Sequence, residues 1–463
     1  MTENEKQNGG WGEERSARVD ASTSPDSNKD VSSTASTDHQ LTDPVAEKAV
    51  APGPPPDGGT KAWLQVVGGF LLVLNTWGLV NSFGIFQTHY STELLPASTP
   101  SAISWIGSIQ AFLLLFAGIL CGRALDAGYF FHVAFVGGFL EVFGMMMTSI
   151  STKYWQVFLS QGLCVGLGCG CLFTPSIAII GTYFSTKRSL ATGIAASGSS
   201  VGGVIYPILI KQMIQSIGFA WAVRTMAFVM FITIAIALSL LRPRLPPRKS
   251  GPLIIWAAIK EPAYSSFIFG LMLAFLAFFI PFFYAQTYAL NIGMDQNLAF
   301  YVLSIMNAAG MVGRLLPNAL ADKAGNLNVI IPCAFLSAVT AFAWIAAKSS
   351  ASMIVVSILY SFFSGGLMAL PPAVIVTLSP SMNEVGTRIG MAFFVGSLGV
   401  LIGSPIAGAI LDAQSPRDSS MHLVVGEEVF WGVLLFTGIM LVASGVLMSW
   451  TRLVKGGFKY TKV

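Results

Sequence analysis

The chain has 463 residues, of which 54% are hydrophobic and only 10% are charged, whereas about 25% of the residues in a soluble globular domain are charged. The first 61 residues carry 11 acidic and six basic side chains, and the rest of the chain carries 11 acidic and 20 basic ones. A polar, acidic tail on a nearly uncharged, glycine-rich body is typical of an integral membrane protein, and it excludes a cytosolic enzyme and a nucleic-acid-binding protein.

Residues 1–61 are rich in serine, threonine and acidic side chains and include a proline-rich run at 52–56. This composition predicts a disordered, cytoplasmic N-terminal tail. From Ala62 onward, apolar segments alternate with short polar breaks, and a helix of about 20 residues crosses the membrane. We predict twelve such helices, at 62–86, 103–121, 130–150, 155–182, 190–212, 219–241, 264–286, 297–320, 328–347, 352–378, 386–412 and 429–450.

The distribution of lysine and arginine predicts the orientation, because basic residues are retained on the cytoplasmic side. With the N-terminus inside, thirteen of them fall in inner loops and the C-terminal tail, against four in outer loops. Both termini are therefore predicted to be cytoplasmic. We interpret the basic segment 242–263 as a cytoplasmic linker between a six-helix bundle at 62–241 and a second one at 264–450, with a tail at 451–463. Two bundles of six predict a carrier that works by alternating access.

Two inner loops share one pattern, an acidic residue beside a glycine turn. Arg123 and Asp126 lie in the loop 122–128, and Asp322 lies in the loop 319–325. An aspartate at a helix end accepts backbone N–H groups and pairs with cations of the opposite half. This predicts a gate that breaks when the carrier opens inward, and an ordinary capped turn is the alternative at either loop alone.

These loops resemble the inner-loop signature of the major facilitator superfamily. Within it, the chain is similar to the monocarboxylate porter family, especially its fungal branch. The resemblance rests on the Asp-Gly-Gly motif at 57–59, on YFSTKRSLATGIAASGSSVG at 183–202 and on GRLLP at 313–317. It implies an all-α membrane fold of twelve transmembrane helices in two six-helix bundles.

Arg314 is a candidate substrate ligand, because a charge inside the bilayer is costly and marks a functional site. It matches the arginine that is proposed to pair with the substrate carboxylate in the family, and a guanidinium offers a two-pronged match to a carboxylate. The alternatives are snorkelling to the inner surface and pairing with Asp322. Asn81 or a neighbour replaces the family's outer lysine, and Gly310 replaces an acidic residue, which argues against simple lactate/proton symport.

Two further charges lie within or beside predicted helices. Glu141 is in the middle of the third helix and is a candidate proton carrier, because burial disfavours its ionised form. The alternative is a neutral side chain that is hydrogen-bonded to another helix. Arg388, beside Glu384 at the start of the eleventh helix, is predicted to be a gate or interface charge rather than a ligand.

Polar and aromatic residues on central helices favour a substrate with several hydrogen-bonding groups. Tyr284 and Tyr288 are one helical turn apart and are predicted to face a cavity together, with Asn81 and Asn307 as further contacts. An aromatic belt at the membrane interface explains the tyrosines about as well. The small residues of 193–203 lack side-chain bulk, so the fifth helix is expected to approach a neighbouring helix closely.

The sequence therefore predicts a transporter of a small organic acid, or of a larger acidic or polar metabolite, that is coupled to protons through Glu141 or the gate aspartates. It contains no phosphate-binding loop, no metal-ligand spacing and no nucleophile–base pair, so we predict no enzyme, no metal and no cofactor. The motifs do not separate import from export of secondary metabolites. A non-transporting nutrient sensor is the alternative, and a monomer in the plasma membrane is the default expectation.

Overall fold

The computed structural model describes residues 55–244, 254–381, 384–414 and 430–457, and every regular element within them is helical. Most of the predicted N-terminal tail and most of the linker lie outside these residues. A short helix, Trp256–Lys260, precedes the second half. The long helices are α1, Thr60–Leu94; α2, Pro100–Asp126; α3, Phe130–Thr148; α4, Tyr154–Tyr183; α5, 188–217; α6, 219–240; α7, Pro262–Asn291; α8, Gln296–Ala324; α9, Asn326–Ile345; α10, Ser350–Leu378; α11, Val385–Gln414; and α12, Trp431–Gly456.

Within the described ranges, eleven helical runs are long and apolar enough to cross a membrane. One of them, Arg188–Leu240, has 53 residues and would be about 80 Å long, whereas the hydrocarbon core is about 30 Å thick. Gly218 interrupts this run with φ 79° and ψ 164°, a conformation that glycine adopts without a steric penalty. Division at Gly218 gives α5 and α6, and the predicted all-α fold with twelve spanning helices is confirmed.

Three of the spanning helices are irregular. A π-helical turn at Tyr90–Leu94 ends α1, and a second one at Phe158–Val165 lies within α4. The tenth helix consists of Ser350–Ala369 and Pro371–Leu378, because the prolines at 371 and 372 lack the N–H groups that would continue the helical hydrogen bonds.

The connections between helices fall at two ends of the molecule. We call the end that holds residues 57, 183, 242, 322 and 388 the inner end, since the basic residues predict that it faces the cytoplasm. The opposite end is called the outer end.

The two halves, α1–α6 and α7–α12, use glycine at corresponding places. In the first half, a Cβ atom on Gly198 or Gly202 of α5 would collide with backbone oxygens of α1. In the second half, a Cβ atom on Gly399 or Gly403 of α11 would collide with backbone oxygens of α7. Since α1 corresponds to α7 and α5 to α11 in a repeat of six helices, both halves are packed on one plan.

The halves meet along two pairs of helices, α2 with α11 and α5 with α8. These pairs are also related by the repeat of six. Gly193 of α5 packs against the backbone of Arg314, and Gly203 packs against the side chain of Asn307. Absence of side-chain bulk on α5 thus lets α8 of the opposite half approach it closely.

Candidate functional site

A cavity of about 30 Å³ lies between the two halves, with room for about two water molecules. Eight helices line it, four from each half, and within the described residues α3, α6, α9 and α12 do not contribute. The lining residues are Val73, Trp77, Asn81, Leu115, Phe173, Ile177, Thr192, Ala196, Ser199, Phe275, Arg314, Met368, Ala369, Pro372 and Phe393.

Arg314 is the one charged side chain among the described residues of this lining. It is 3% exposed, and its guanidinium donates a hydrogen bond to the Ser200 hydroxyl of the opposite half. Within the described part of the chain, no carboxylate pairs with it. A buried guanidinium without a counter-ion is costly, so the cavity is electrostatically matched to an anion.

Four aromatic rings form the apolar walls of the cavity, those of Trp77, Phe173, Phe275 and Phe393. The Phe173 ring centroid lies 5.7 Å from that of Trp77 and 5.9 Å from that of Phe393, which belongs to the other half. Aromatic faces pack well against flat apolar groups. The cavity therefore combines one cation with walls that suit a flat, apolar body.

Of the five predicted substrate contacts, Arg314 and Asn81 line the cavity. The Asn81 side-chain amide donates a hydrogen bond of 3.4 Å to the Ser199 carbonyl oxygen. This bond joins α1 to α5 beside the cavity. The two residues thus provide one charged and one neutral polar group at the same site.

The other three predicted contacts lie outside the cavity. Asn307 is buried between α8 and α5, where its amide donates to the Gly203 carbonyl at 3.3 Å. The Tyr284 ring packs against Phe430, with centroids 6.5 Å apart. The Tyr288 hydroxyl lies 3.1 Å from two backbone carbonyl oxygens of the second half. In this conformation the two tyrosines take part in packing within the second half.

Aromatic contacts join the halves toward the outer end. Trp77 of α1 stacks on Phe279 of α7, with centroids 5.8 Å apart and ring planes within 6°. Farther out, the Lys211 ammonium of α5 lies 3.8 Å from the centroid of the Phe300 ring of α8. A cation over an aromatic face is attracted by the ring electrons, so this contact holds α5 and α8 together.

At the inner end, Asp322 joins α8 to the N-terminus of α5. Its carboxylate accepts hydrogen bonds from the Ser189 N–H at 3.2 Å and the Leu190 N–H at 3.0 Å. The first N–H groups of a helix have no partner within the helix, and the helix dipole favours a negative charge there. The contact crosses between the halves, and together with the outer contacts it closes the cavity at both ends.

Arg388, another predicted gate residue, binds within the second half. The Arg388 guanidinium donates to both carboxylate oxygens of Glu261, at 2.8 and 2.6 Å, and to Glu384 at 3.1 Å. These hydrogen bonds hold the pKa of the Glu261 carboxyl below its usual range, and they tie α11 to the start of α7. Arg123 is exposed near the inner end of α2. Asp126 ends α2, and its side chain lies outside the described part of the chain.

The Asp-Gly-Gly motif binds the segment that leads into α5. Asp57 accepts hydrogen bonds from the N–H and the hydroxyl of Ser185 and, at 2.9 Å, from the Thr186 N–H. The Ser185 hydroxyl and N–H lower the pKa of Asp57 to about 2. Asp57 has φ 52°, a left-handed conformation that aspartate tolerates. Two motifs that are 128 residues apart thus form one unit at the inner end.

Glu141 is fully buried in α3 and lies outside the cavity. The Cys169 thiol of α4 donates to its Oε1 atom at 3.6 Å, and its Oε2 atom has no partner among the described residues. The proton-carrier candidate is therefore separated from the candidate substrate site.

Sequence reasoning missed the aromatic walls and Ser200. Trp77 precedes Asn81 by one helical turn, which places both on one face of α1, and Ser200 lies within the 183–202 motif. Phe173, Phe275 and Phe393 carry no such signal, because the chain contains 33 phenylalanines and most faces of a membrane helix are apolar.

Comparison with known proteins supports a membrane transporter. The model of the Major Facilitator Superfamily matches residues 66–350 and 318–460. The chain is 44% identical to "MFS-type transporter dbaD" of Emericella nidulans over 77% of its own length and 80% of that protein. It is 39% identical to "Aspyridones efflux protein apdF" of Emericella nidulans, over 86% and 82% of the two chains. It is 35% identical to "Agnestins efflux protein AgnL12" of Paecilomyces divaricatus, over 85% and 88%.

Proposed function

We infer the function from one premise: the chain belongs to the major facilitator superfamily. It is therefore a multi-pass membrane transporter of small molecules. Within that class, we propose a secondary carrier of the monocarboxylate-porter type that exports an acidic secondary metabolite with a flat apolar body. The direction is supported by two relatives that are named as efflux proteins.

One observation carries the substrate class. Arg314 is a buried cation without a carboxylate partner among the described residues, and aromatic rings form the walls around it. A small carboxylate such as lactate has little surface to contact four rings, whereas an aromatic acid fills both parts of the site. We propose that the substrate anion binds Arg314 and that Asn81 supplies a further hydrogen bond.

The size of the cavity supports the proposal of alternating access. Its volume of about 30 Å³ is far below the roughly 300–1,000 Å³ of sites for drug-sized ligands. We propose that the bundles 62–241 and 264–450 move apart at one end at a time, joined by the linker 242–263. Asp322, with Arg123 and Asp126 as its counterparts, gates the inner end, while Arg388 keeps α11 in place.

We further propose that the protein is a monomer in the plasma membrane with both termini in the cytoplasm. The count of basic residues in the inner loops supports this orientation. The substrate would then enter from the inner end and leave at the outer end.

The test is replacement of Arg314 in the organism that makes the protein. Deletion of the gene is expected to retain acidic aromatic metabolites inside the cells, as measured by mass spectrometry of cells and medium. The wild-type gene restores their export, and Arg314→Ala does not, because loss of a charge-assisted hydrogen bond costs about 2 kcal/mol, or about 30-fold in affinity. Arg314→Lys keeps the positive charge but lacks the two-pronged guanidinium, so it is expected to restore export in part.

A matched control is Arg224→Ala. Arg224 lies on α6, donates a hydrogen bond to the Ser149 hydroxyl and is absent from the cavity lining, so this variant restores export fully. The amount of each variant at the plasma membrane is measured in parallel. Full export by Arg314→Ala would remove Arg314 from the substrate site, and an unchanged metabolite distribution after deletion would refute the export function.

A further inference from the structure

Every helix of the first half contributes one polar side chain to a polar core that lies outside the cavity, and all of these side chains except the half-buried Thr233 are buried. The Tyr206 hydroxyl donates to Asn75 at 2.7 Å, and the Asn75 amide donates to the Thr233 hydroxyl at 2.9 Å. The Cys169 thiol donates to Glu141. The six members, from α1 to α6, are Asn75, Gln110, Glu141, Cys169, Tyr206 and Thr233.

Two glycines of α4 bring Gln110 and Glu141 to the same level. A Cβ atom on Gly166 would lie 3.0 Å from the Gln110 Cα atom, and one on Gly168 would lie 2.6 Å from the Glu141 backbone nitrogen. The backbones of α2 and α3 therefore contact α4 at two positions that are only two residues apart, Gly166 and Gly168. Cys169 follows directly, and its thiol lies beside both side chains.

This part of the core contains polar atoms without partners. Within the described ranges, Glu141 Oε2 and both side-chain polar atoms of Gln110 make no hydrogen bond, and both residues are 0% exposed. No cation of the described part pairs with Glu141, and the titratable groups near it are Cys169 on α4 and Tyr206 on α5. An ionised carboxylate in such a place is very costly. A protonated Glu141 carboxyl group gains an O–H donor. The Gln110 Oε1 atom, which has no partner among the described residues, is a hydrogen-bond acceptor at the same level of the bundle.

The core has a direct connection to the cavity through α4. Cys169, which contacts Glu141, is one helical turn before Phe173, so both side chains lie on one face of α4. Phe173 lines the cavity and packs against Trp77 and against Phe393 of the other half. A shift of α4 at Cys169 therefore moves a cavity wall and a contact between the halves.

We propose that Glu141 is a proton-binding site separate from the substrate cavity, partnered by Gln110 and Cys169, and that it acts on the cavity through α4. Glu141 is protonated in the closed conformation and releases its proton when the first half loosens enough for water to reach it. Because the two sites are separate, the proton acts on the cavity through the position of α4 and does not compete with the substrate for a common group. The coupling to export rests on the proposed function, whereas the protonation of Glu141 does not.

Infrared spectroscopy of the purified full-length protein in lipid bilayers at pH 7 tests the protonation directly. The wild type is expected to show the C=O band of a protonated carboxylic acid, and Glu141→Gln is expected to lose it. Glu93→Gln is the matched control, since Glu93 is 66% exposed at the outer end of α1, and it keeps the band. Cys169→Ala removes the thiol donor to Glu141 and is expected to shift this C=O band. It serves as the second variant if Glu141→Gln does not fold. A spectrum unchanged in Glu141→Gln or unshifted in Cys169→Ala overturns the proposal.

Export under an imposed pH gradient tests the coupling. Acid outside is expected to accelerate export by the wild type and by Glu93→Gln by raising its maximal rate, with little change in KM. Glu141→Gln is expected to lose this acceleration and to keep export down the substrate gradient. An acceleration that Glu141→Gln retains, or one that acts on KM alone, refutes the coupling. If the wild type exports nothing while the infrared band is lost in Glu141→Gln, the proposed function fails and the proton site stands.

Discussion

Single carboxylates order the inner end in both halves. Asp57, just before α1, binds the segment that leads into α5, and Glu261, just before α7, binds Arg388 at the start of α11. The helices involved correspond in the repeat of six. The partners differ, since Asp57 binds backbone N–H groups and a hydroxyl whereas Glu261 binds a guanidinium. An acidic residue before the first helix of each half thus holds the fifth helix of that half.

Asp57→Asn tests this role without a change of backbone preference, because asparagine also tolerates a left-handed conformation. The pKa of Asp57 in the folded protein, about 2, is below its usual value of 3.8. Its stabilising effect is therefore complete above pH 3.8 and is lost as the pH falls through about 2. The variant is expected to melt several degrees lower than the wild type, by the same amount at pH 5 and pH 8.

The melting temperature of the purified protein provides this measurement, and Ser185→Ala is the control. It removes the hydroxyl donor and leaves both backbone donors, so its decrease is smaller. A variant that melts like the wild type, or an effect that changes between pH 5 and pH 8, would contradict the role of the ionised carboxylate.

At the scale of one element, α5 presents two glycine-rich faces. Gly198 and Gly202 face α1 of the same half, whereas Gly193 and Gly203 face α8 of the opposite half. The first contact belongs to the packing of one bundle. The second lies at an interface that changes if the halves move. Substitutions on the two faces are therefore expected to have different effects.

Gly202→Ala places a Cβ atom 2.5 Å from the Leu74 carbonyl oxygen and 2.8 Å from the Gly78 Cα atom. Because both atoms belong to a helix backbone, the collision is expected to cost about 1–3 kcal/mol of stability. In Gly193→Ala, the new Cβ atom lies 2.7 Å from the Arg314 carbonyl oxygen of the opposite half. This contact disfavours the closed conformation, so the variant is expected to lose transport while its melting temperature changes little.

The control for both variants is Gly181→Ala, because its Cβ atom has no heavy atom within 4 Å. It is expected to leave melting temperature and transport unchanged. Unfolding of the purified variants and export by cells are the two readouts. Equal losses of stability in Gly202→Ala and Gly193→Ala would show that the two faces of α5 are not distinct.

At the scale of the whole molecule, the two closures use different chemistry. The outer contacts are aromatic pairs and the cation–π pair of Lys211 with Phe300. The inner contact is the Asp322 carboxylate on the N-terminus of α5. A charge at a helix N-terminus depends on its ionisation, whereas stacked rings do not. Removal of the Asp322 charge is therefore expected to weaken the inner closure and to leave the stacked rings of the outer closure unchanged.

Asp322→Asn is expected to favour opening at the inner end by about 1 kcal/mol, or about fivefold, since the charge–dipole attraction is lost. Labelling of a cysteine at position 192, which lines the cavity, reports the opening in a background without native cysteines. A membrane-impermeant maleimide applied at the inner side is expected to react faster in the variant. Lys323→Ala changes an exposed neighbour and serves as the control, and equal rates in all three proteins would exclude the gate.

The sequence by itself determined the membrane class, the number of spanning helices and their approximate limits, because apolar length and helix geometry are local properties. It also identified Arg314 and Asn81, whose polarity stands out on apolar helices, and the glycines that let α5 approach its neighbours. These conclusions need no knowledge of which helix faces are in contact.

Only the tertiary structure decided which faces meet. In a bilayer nearly every helix face is apolar, so periodicity does not reveal whether Phe173 lines a cavity or Tyr288 packs against a neighbouring helix. The same ambiguity hid the partners of Asp322 and Arg388, one of which crosses between the halves while the other does not. Contacts between residues far apart in the chain depend on how twelve helices pack together, and that packing separates Glu141 from the cavity that holds Arg314.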